Sequence, residues 1–591
     1  MTRWLRNLSF VSIFMIVTAL GLYAVPSPSL AAAPVTQIHG PFVGPVVHGA
    51  SFDGDVRSLT ATLPTARDAT EARLPVLRAP RPAATPGARA TAGTAQAPRL
   101  GPPARPSSPS AVPLIAANFS GIHQTSFPSF NAWPPDPTGD VGFNYYVQAV
   151  NRSIGIYDKA GTPLATFAYH SIFTGTGTLC DTNQRDDPAV VYDSFADRWM
   201  FTFFAFVDLS HPFYQCFAVS KTSDPVAGGW WLFGLLADPE WLDDYPKFSL
   251  WPDAYYMTAN MFRLGDSYQG VRVWALDRAS MLNGTLNSVS FDIPWDGYCC
   301  FSLLPATVRG TAPPAGSPAY FLDAETSVPG QRLHLWKFHV DWSMPMSSTF
   351  TGPVTLTVNT FDSPSSGIPQ LGSPETVDAG DDNLMTPLQY RRINGVESLW
   401  ASQTIGRNSS NAIRWYEIRN PFSSTVVYQQ GTFQPDTNFR WMPSLSVDAQ
   451  GNMAMGYSVS GATMFPAIRV TGRLATDPLG FTGSQEGSMI EGTGSQLGGY
   501  KRWGDYSAMS VDPADDCTFW YTNMYYQTTS SDWQTRIGTV TFPSCPRPTA
   551  VGLNRLSAHS IGKDAQTAWP PVALALAGLA AFWAGLRRKK R

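Results

Sequence analysis

Five aspartates occupy equivalent positions in a sequence pattern that recurs along the chain, each at the entry to an aromatic or β-branched run. They are Asp140, Asp187, Asp244, Asp382 and Asp505. If the runs are the inner strands of a circular repeat, these carboxylates ring one mouth of a central channel, where they repel each other unless cations lie among them. Oxygen ligands in that number suit Ca²⁺, so the pattern predicts a calcium site. The alternative is that each aspartate only accepts hydrogen bonds from the backbone of its own turn.

Three arginines precede the same kind of run and would converge on the same mouth. They are Arg185, Arg440 and Arg502. Three guanidinium groups can bind a ligand carboxylate through paired hydrogen bonds, and Trp133, Trp441 and Trp503 stand where exposed rings would stack on a sugar. The pattern therefore predicts a ligand site. In the alternative interpretation the arginines pair with aspartates of a neighbouring repeat and the tryptophans pack between repeats.

Catalysis is a further hypothesis for this mouth. Asp187 or Asp505 would act as the acid with Tyr506 or Glu397 nearby, an arrangement that resembles a sialidase, in which a tyrosine is the nucleophile. The segment FRWMPSLSVDAQGN at 439–452 is distantly similar to the Arg-Ile-Pro and Asp-box motifs of sialidases. This resemblance implies a glycoside hydrolase or lyase.

Several other classes of chemistry are excluded. The chain has no H-E-x-x-H, G-x-S-x-G, P-loop or G-x-G-x-x-G signature. His334 and His339 fall in an alternating run typical of a strand, which favours sheet residues over metal ligands. The net charge is −3, with 14% charged and 13% aromatic residues. Because the folded region has no basic patch, nucleic acid is not an expected partner.

The elements that must position these residues are β-hairpins. The clearest is 502–526, in which a short run, an Asp/Pro-rich turn at 512–516 and an aromatic run follow one another. Similar hairpins occur at 140–151, 187–206, 244–261 and 442–458, with weaker copies at 302–323 and 382–402. Self-similarity at roughly 40–60 residues predicts an all-β fold, a β-propeller, with seven blades as the favoured count. The alternative is a pair of β-sandwiches.

The composition divides the chain into five segments. They are a signal peptide at 1–33, a disordered Pro/Ala-rich spacer at 34–115, the propeller at 116–546, a linker at 547–567 and a transmembrane helix at 568–591 that ends in five basic residues. A short patch before the Pro-rich run, 35–56, is a candidate for packing on the fold. The segments predict an exported protein anchored by its C-terminal helix, with the folded domain outside the cytoplasm. An uncleaved N-terminal anchor and a buried C-terminal helix are the alternatives.

Six cysteines in an exported chain predict disulfide bonds. Cys180 with Cys216 and Cys517 with Cys545 are the most local pairs. The adjacent Cys299 and Cys300 form either a vicinal bridge or two thiols, and the sequence does not choose among these pairings.

The folded body resembles a family of bacterial exported proteins. The shared motifs are WPPDPTGDVG at 133–142, DPAVVYD at 187–193, DYPKFSLWPDAYYMT at 244–258 and RWGDYSAMSVDP at 502–513. The resemblance spans nearly all of 116–546 and implies a secreted, propeller-like protein. It carries over no catalytic residue.

Two functions are therefore expected from the sequence. The favoured one is a surface-displayed propeller that binds a glycan or protein, because the spacer and the C-terminal helix suit display away from the cell. The alternative is a glycoside hydrolase or lyase at a mouth lined by arginine and aspartate. The first needs no cofactor other than Ca²⁺ in the predicted ring.

Overall fold

The structure is a computed structural model that describes residues 37–59, 112–126, 132–207, 212–263, 267–295, 300–325, 329–498, 501–543 and 545. The predicted signal peptide and C-terminal helix lie outside these residues. Within them, no helix has the length and apolar character needed to cross a membrane.

The N-terminal part forms short strands before the main body begins. They are β1 (His39–Val43), β2 (Val47–His48), β3 (Ala50–Phe52) and the longer β4 (Leu114–His123), with 3-10 turns at Val56–Ser58 and Gln124–Ser126.

The first three sheets of the body are built from consecutive antiparallel strands. Sheet I contains β5 (Thr138–Val141), β6 (Tyr145–Val150), β7 (Ser153–Asp158) and β8 (Pro163–Ala168). Two short helices, α1 (Tyr169–Ile172) and α2 (Leu179–Thr182), lead to sheet II, which contains β9 (Ala189–Asp193), β10 (Arg198–Ala205), β11 (Phe213–Ser220) and β12 (Trp230–Asp238). Sheet III contains β13 (Trp241–Leu250), β14 (Ala254–Arg263), β15 (Ser267–Asp277) and, after α3 (Arg278–Met281) and β16 (Thr285–Leu286), β17 (Ser288–Pro294).

The remaining sheets repeat this plan. Sheet IV contains β18 (Leu304–Val308), β19 (Ala319–Ala324), β20 (Gly330–His339) and, after a 3-10 turn at Pro345–Ser347, β21 (Thr349–Phe361). A small hairpin, β22 (Ile368–Gln370) and β23 (Ser373–Val377), precedes sheet V, which contains β24 (Leu384–Ile393), β25 (Val396–Arg407), β26 (Ser410–Arg419) and β27 (Val426–Phe433). Sheet VI contains β28 (Phe439–Val447), β29 (Met453–Gly461), β30 (Met464–Arg473) and β31 (Gly487–Ile490). Sheet VII contains β32 (Ala508–Val511), β33 (Phe519–Tyr525) and β34 (Gln534–Thr541).

The first strands of these sheets form a closed ring. β5 contacts β9, β9 contacts β13 and β13 contacts β18; β24 then contacts β28, β28 contacts β32, and β32 returns to β5. Between sheets IV and V the ring is continuous through parallel hydrogen bonding of β18 with β24. A ring of antiparallel sheets around an axis is the arrangement of a β-propeller, so the predicted fold class is confirmed at that level.

The two ends of the body close the ring. β4, which precedes sheet I in the chain, pairs antiparallel with β34, with Leu114 opposite Thr541 and His123 opposite Gln534. It thereby supplies the fourth strand of sheet VII. This pairing covers the outer edge of sheet VII, which β34 would otherwise expose.

The residues of these strands form sheets because they are apolar on both faces. All residues of β14 except the terminal Arg263 are buried, and so are all residues of β29 and β33. Strands covered on both sides carry continuous runs of aromatic and β-branched residues instead of strict alternation. The apolar core is accordingly divided into clusters between neighbouring sheets, such as one that joins Phe167 of sheet I to Phe201 and Trp230 of sheet II.

The N-terminal segment corrects the predicted spacer of residues 34–115. β1 pairs with β17 at the outer edge of sheet III, and β3 pairs with β12 at the outer edge of sheet II. The interpretation that 35–56 packs on the fold holds for its described residues, because outer strands offer unpaired backbone groups that an extended segment can satisfy. At the other end of the predicted spacer, β4 already begins at Leu114.

Two disulfide bonds are present as predicted. Cys180 is bonded to Cys216 with 5.8 Å between their Cα atoms, and Cys517 to Cys545 with 5.7 Å. Cys300 is also disulfide-bonded, and its partner lies outside the described residues. The described cysteines are therefore all oxidised.

Candidate functional site

Four aspartates from adjacent sheets meet at one end of the ring. Asp136 precedes β5, Asp187 precedes β9, Asp505 precedes β32, and Asp244 lies in β13 at a register shift between Asp244 and Lys247. A bulge of that kind redirects side chains out of the regular alternation of a strand. Together with Arg502 and Lys247, these four aspartates are called the acid cluster below.

A chain of hydrogen bonds joins the members of the acid cluster. The backbone N–H of Asp505 donates to Oδ1 of Asp136 at 2.6 Å, and the Asn151 amide donates to Oδ2 of Asp136 at 2.7 Å. Oδ1 of Asn151 accepts from the backbone N–H of Asp187 at 2.9 Å. The hydroxyl of Tyr506 then donates to Oδ2 of Asp187 at 3.0 Å. Segments that are hundreds of residues apart in the chain are thus fixed around one opening.

Two cations lie among the carboxyl groups. The guanidinium of Arg502 donates to Oδ2 of Asp505. Nζ of Lys247 lies 2.8 Å from the ring centroid of Tyr245 and 4.2 Å from that of Tyr506, and it donates to the carbonyl of Tyr245 at 3.3 Å. Four carboxyl groups therefore face only two cations.

This imbalance in a buried setting changes the protonation of the cluster. Burial, and then the charge of Asp505, raise the pKa of Asp136 to about 7. Burial raises the pKa of Asp244 to about 6, although Arg502 opposes the change. Burial and the neighbouring charges of Asp136 and Asp244 raise the pKa of Asp187 well above its ordinary value. The cluster therefore retains protons near neutral pH, as groups that donate or accept protons in catalysis must.

The cluster is also held in an unusual backbone conformation. Asp136, Asp187 and Tyr245 have positive φ angles of 45°, 57° and 55°. For residues with a Cβ this left-handed region costs on the order of 1 kcal/mol each, and such positions concentrate at functional sites. Asp136 and Asp187 stand two residues before β5 and β9, and Tyr245 lies within β13. Ser302 before β18 and Met442 within β28 also have positive φ angles, of 57° and 49°, so this conformation recurs around the ring and is not confined to the cluster.

The acid cluster reaches solvent at the mouth of the ring. Asp187, Asp244, Tyr245 and Asp505 are half-buried. The side chain of Arg502 is 21% exposed, whereas Asp136 and Lys247 are 2% exposed. The half-buried members therefore form the surface that a ligand can touch, and the buried members support them from below.

A cavity of about 70 Å³ lies along the ring axis beside the cluster. Its walls come from the first strands of six sheets and include Asp140, Lys247, Arg309, Tyr506 and Ser510. The hydroxyl of Ser510 is buried without a partner among the described residues. A polar cavity of this size holds water molecules and is too small for a sugar ring, so a larger ligand must bind at the mouth.

The structure brings only three of the five predicted calcium ligands together. Asp187, Asp244 and Asp505 belong to the cluster. Asp140 instead accepts from the backbone N–H of Tyr192 at 2.9 Å and forms an ion pair with Arg309. Asp382 is buried and accepts from the hydroxyl of Ser363 at 2.8 Å. Among the described residues no three acidic, histidine or cysteine side chains are grouped to hold a metal ion.

Of the three predicted ligand-binding arginines, only Arg502 lies in the cluster. Arg440 is fully buried in sheet VI and pairs with Asp436 and Glu486, each at 2.8 Å. Arg185 lies over the ring of Phe206 at 5.1 Å and donates to backbone carbonyl oxygens of Gln184 and Val207. Both guanidinium groups are engaged within the fold, but Arg440 pairs with acidic residues of its own sheet and Arg185 donates to backbone carbonyl oxygens, so neither contact is the pairing with a neighbouring repeat that the alternative described.

The predicted tryptophan platform is likewise corrected. Trp441 and Trp503 are 0% and 1% exposed, and their rings pack against each other at 5.2 Å. Trp133 is half-exposed. Buried indole rings cannot stack on a ligand, so the accessible aromatic residues near the cluster are Trp133 and Tyr245.

Glu397, which the catalytic hypothesis placed near the acid, accepts a hydrogen bond from Tyr390 at 2.6 Å within the β24–β25 hairpin.

Sequence reasoning missed Asp136, Asn151, Tyr245 and Lys247. A signal for Asp136 was present, because Asp-Pro directly precedes both β5 and β9, at 136–137 and 187–188. The dipeptide Asp-Tyr likewise occurs at 244–245 and 505–506. These dipeptides include the four clustered carboxyl groups, but Asp-Pro also occurs at 224–225, 238–239, 477–478 and 512–513, so the match is useful only where a first strand follows.

No protein-family model matches the chain, and no curated protein is similar to it in sequence. Among solved structures it is similar to an endo-arabinase from Bacteroides thetaiotaomicron, with 14% identity, 48% of this chain and 92% of that chain covered, and a TM-score of 0.26. It is similar to the N-terminal domain of Nup159 at 8% identity, covering 73% and 97%, with a TM-score of 0.33. An exo-beta-1,3-galactanase from Phanerochaete chrysosporium gives 9% identity, 73% and 99% coverage and a TM-score of 0.27. Similarities this low assign no activity.

Proposed function

We propose that this chain is a seven-bladed β-propeller that binds a glycan at the acid cluster and cleaves a glycosidic bond there by acid–base catalysis. The blade count follows the first strands β5, β9, β13, β18, β24, β28 and β32, which succeed one another around the ring. The observation that carries the catalytic proposal is the convergence of four carboxyl groups on two cations at a half-buried mouth, with protons retained near neutral pH.

The two carboxyl groups at the surface of the cluster have different environments. Asp187 accepts a hydrogen bond from the hydroxyl of Tyr506. Burial and the nearby carboxylates raise the pKa of Asp187, so this carboxyl group retains its proton. Asp505 forms an ion pair with Arg502. Glycoside hydrolysis uses two carboxyl groups, one as the proton donor and the other as a carboxylate.

In the proposed reaction Asp187 donates its proton to the glycosidic oxygen as the bond to the anomeric carbon breaks. The carboxylate of Asp505 stabilises the positive charge that develops on the sugar ring, and it assists the water that completes hydrolysis. Asp136 supports this step indirectly, because its carboxyl group holds the backbone N–H of Asp505. Tyr245 and Trp133 offer rings on which a sugar can stack.

The cellular setting is proposed on independent grounds. Disulfide bonds persist in oxidising compartments, and Cys180–Cys216 and Cys517–Cys545 are both formed. Together with the sequence patterns at 1–33 and 568–591, this supports an exported protein that is anchored in the membrane with the propeller outside the cytoplasm.

The test is cleavage of a panel of neutral and acidic polysaccharides by the full-length chain, measured as new reducing ends. We expect Asp187→Asn and Asp505→Asn to lower kcat by about 10²- to 10⁴-fold while the glycan still binds. Asp341→Asn is the matched control, since Asp341 only accepts hydrogen bonds from its own turn at Ser343 and Met344.

Two results would contradict the proposal. If wild-type chain cleaves no glycan but binds one, the protein is the binding or adhesion module that the sequence favours. If cleavage occurs and both variants retain it, the acid cluster is not the catalytic centre.

A further inference from the structure

Lys247 occupies a position that the proposed acid and base do not explain. It follows the register shift in β13 and is 2% exposed, so its ammonium group has lost nearly all contact with bulk water. Placing a lysine in such a site is costly unless nearby charges compensate it. The position of this buried lysine next to four carboxyl groups therefore needs a physical explanation.

The surroundings of Nζ are aromatic and acidic. The rings of Tyr245 and Tyr506 flank it at 2.8 and 4.2 Å, and these two rings lie 5.1 Å from each other. Cation–π attraction of this kind strengthens when the cation is removed from water. Lys247 therefore fixes the orientation of Tyr506, whose hydroxyl donates to Asp187 at 3.0 Å.

The charge of Lys247 is not committed to one ion pair. Among the described residues, no carboxylate forms an ion pair with Nζ. Burial lowers the pKa of Lys247 well below its ordinary value, and Asp187, Asp505, Asp244 and Asp136, the complete set of carboxyl groups in the cluster, oppose that change. On its other side the axial cavity contains the ion pair of Asp140 with Arg309. Arg502 has the same four carboxyl groups as electrostatic partners, but it also forms an ion pair with Asp505.

We propose that Lys247 is a positioning residue of the acid cluster, which holds Tyr506 against Asp187 and whose charge the four carboxyl groups share. Its consequence for catalysis rests on the proposed function. Its effect on the titration of the cluster does not, and the two can be tested separately.

The first measurement needs no substrate. The free energy of unfolding of the full-length chain is measured by urea titration at pH 5 and pH 8 for wild type, Lys247→Met and Lys247→Arg. Without the cation the folded state binds its carboxyl protons more tightly, and the variant also loses the gain in stability with rising pH that the lowered pKa of Lys247 gives wild type. Both changes make the stability of Lys247→Met fall more steeply between pH 5 and pH 8 than that of wild type. Lys247→Arg keeps a charge at both pH values and should therefore restore the part of the slope that comes from the carboxyl groups.

The matched control is Lys159→Met. Lys159 pairs with Asp512 at 2.6 Å away from the cluster, so its replacement removes a lysine–aspartate contact without touching the four carboxyl groups. We expect the free energy of unfolding of Lys159→Met to differ from that of wild type by the same amount at pH 5 and pH 8. If Lys247→Met gives that same parallel shift, Lys247 only fills space and the inference fails. Should Lys247→Met not fold, Lys247→Gln gives the same comparison with a smaller loss of polarity.

The second measurement uses cleavage. In Lys247→Met the acid limb of the pH–rate profile should move upward by about one pH unit, because the ionised base loses an opposite charge. An unchanged profile with an altered stability slope would contradict the catalytic role alone. Absence of any cleavage in wild type would refute the proposed function and leave the titration result standing as the test of Lys247.

Discussion

The acid cluster and a second group of charges, built around the buried Arg440 in sheet VI, show what distinguishes a site from a structural network. The second group is called the arginine network and consists of Arg440 and Arg469 with Asp436, Glu486 and Glu491. Arg440 is fully buried and contacts Asp436 and Glu486, while Arg469 contacts Glu486 at 3.2 Å and Glu491 at 3.0 Å. Every carboxylate of the network therefore has a guanidinium partner.

The net pKa shifts of the buried carboxyl groups have opposite signs in the two regions. In the arginine network burial alone would raise the pKa of Glu486, but hydrogen bonds from Arg440 lower it below its ordinary value. In the acid cluster burial raises the pKa of Asp136 and Asp244, and the cations are too few to reverse it. The difference shows that burial of charge does not by itself mark a functional site. What distinguishes the two regions is the number of cationic partners available to each carboxyl group.

The largest expected effect comes from removing the central cation of the arginine network. Arg440→Met leaves Glu486 and Asp436 without their shared partner, which should lower the free energy of unfolding by about 3–5 kcal/mol. Equilibrium urea unfolding measures the change. Arg469→Met is the control, because Arg469 is 23% exposed and should cost about 1 kcal/mol. Equal losses for the two variants would mean that burial does not control the strength of the network.

Replacing a carboxyl group of the arginine network should lower the free energy of unfolding by an amount that depends on pH. Glu486 has a lowered pKa in the folded state, so it contributes stability near neutral pH that disappears as the pH falls through that value. Glu486→Gln should therefore lose about 2 kcal/mol at pH 7 and less at pH 3. The check is urea unfolding at both pH values. A loss that is independent of pH would show that Glu486 acts through packing and not through its charge.

The same type of substitution in the acid cluster should raise the free energy of unfolding instead of lowering it. The pKa of Asp244 is raised to about 6 in the folded state, so wild type loses stability as the pH rises from about 4 through 6. Asp244→Asn avoids this loss and should exceed wild type by about 1–2 kcal/mol at pH 8 and match it at pH 4. Thermal or urea unfolding at the two pH values decides it. Destabilisation at pH 8 would place Asp244 in the same class as Glu486.

The fold was largely predictable because its signals are local. The Asp/Pro-rich turn at 512–516 between two strand-forming runs identifies a hairpin without knowledge of the rest of the chain, and its copies identify the repeat. The two disulfide bonds join the cysteines that are the most local pairs in the sequence, although the sequence alone did not choose that pairing. The role of 37–59 was only partly predictable, since extended segments that add to the edges of sheets II and III need little amphipathic pattern of their own.

The candidate site was predictable in outline and not in detail. Asp187, Asp244, Asp505 and Arg502 were identified because they precede or enter first strands. Asp140 and Arg440 occupy similar places in the sequence but meet Arg309 and Glu486. One position along a strand reverses the face to which a side chain points, so spacing alone cannot separate a ring of ligands from a set of ion pairs.

The sequence by itself determined that this protein is an all-β repeat with aromatic strands, paired cysteines and acidic residues at the strand entries, because each of these follows from the chemistry of short stretches. Only the tertiary structure decided that Asp136 belongs with Asp505, 369 residues later, and that Lys247 stands between Tyr245 and Tyr506. Ring closure is a long-range event that no local pattern encodes. The pKa of each carboxyl group in turn depends on the burial and the neighbours that closure supplies.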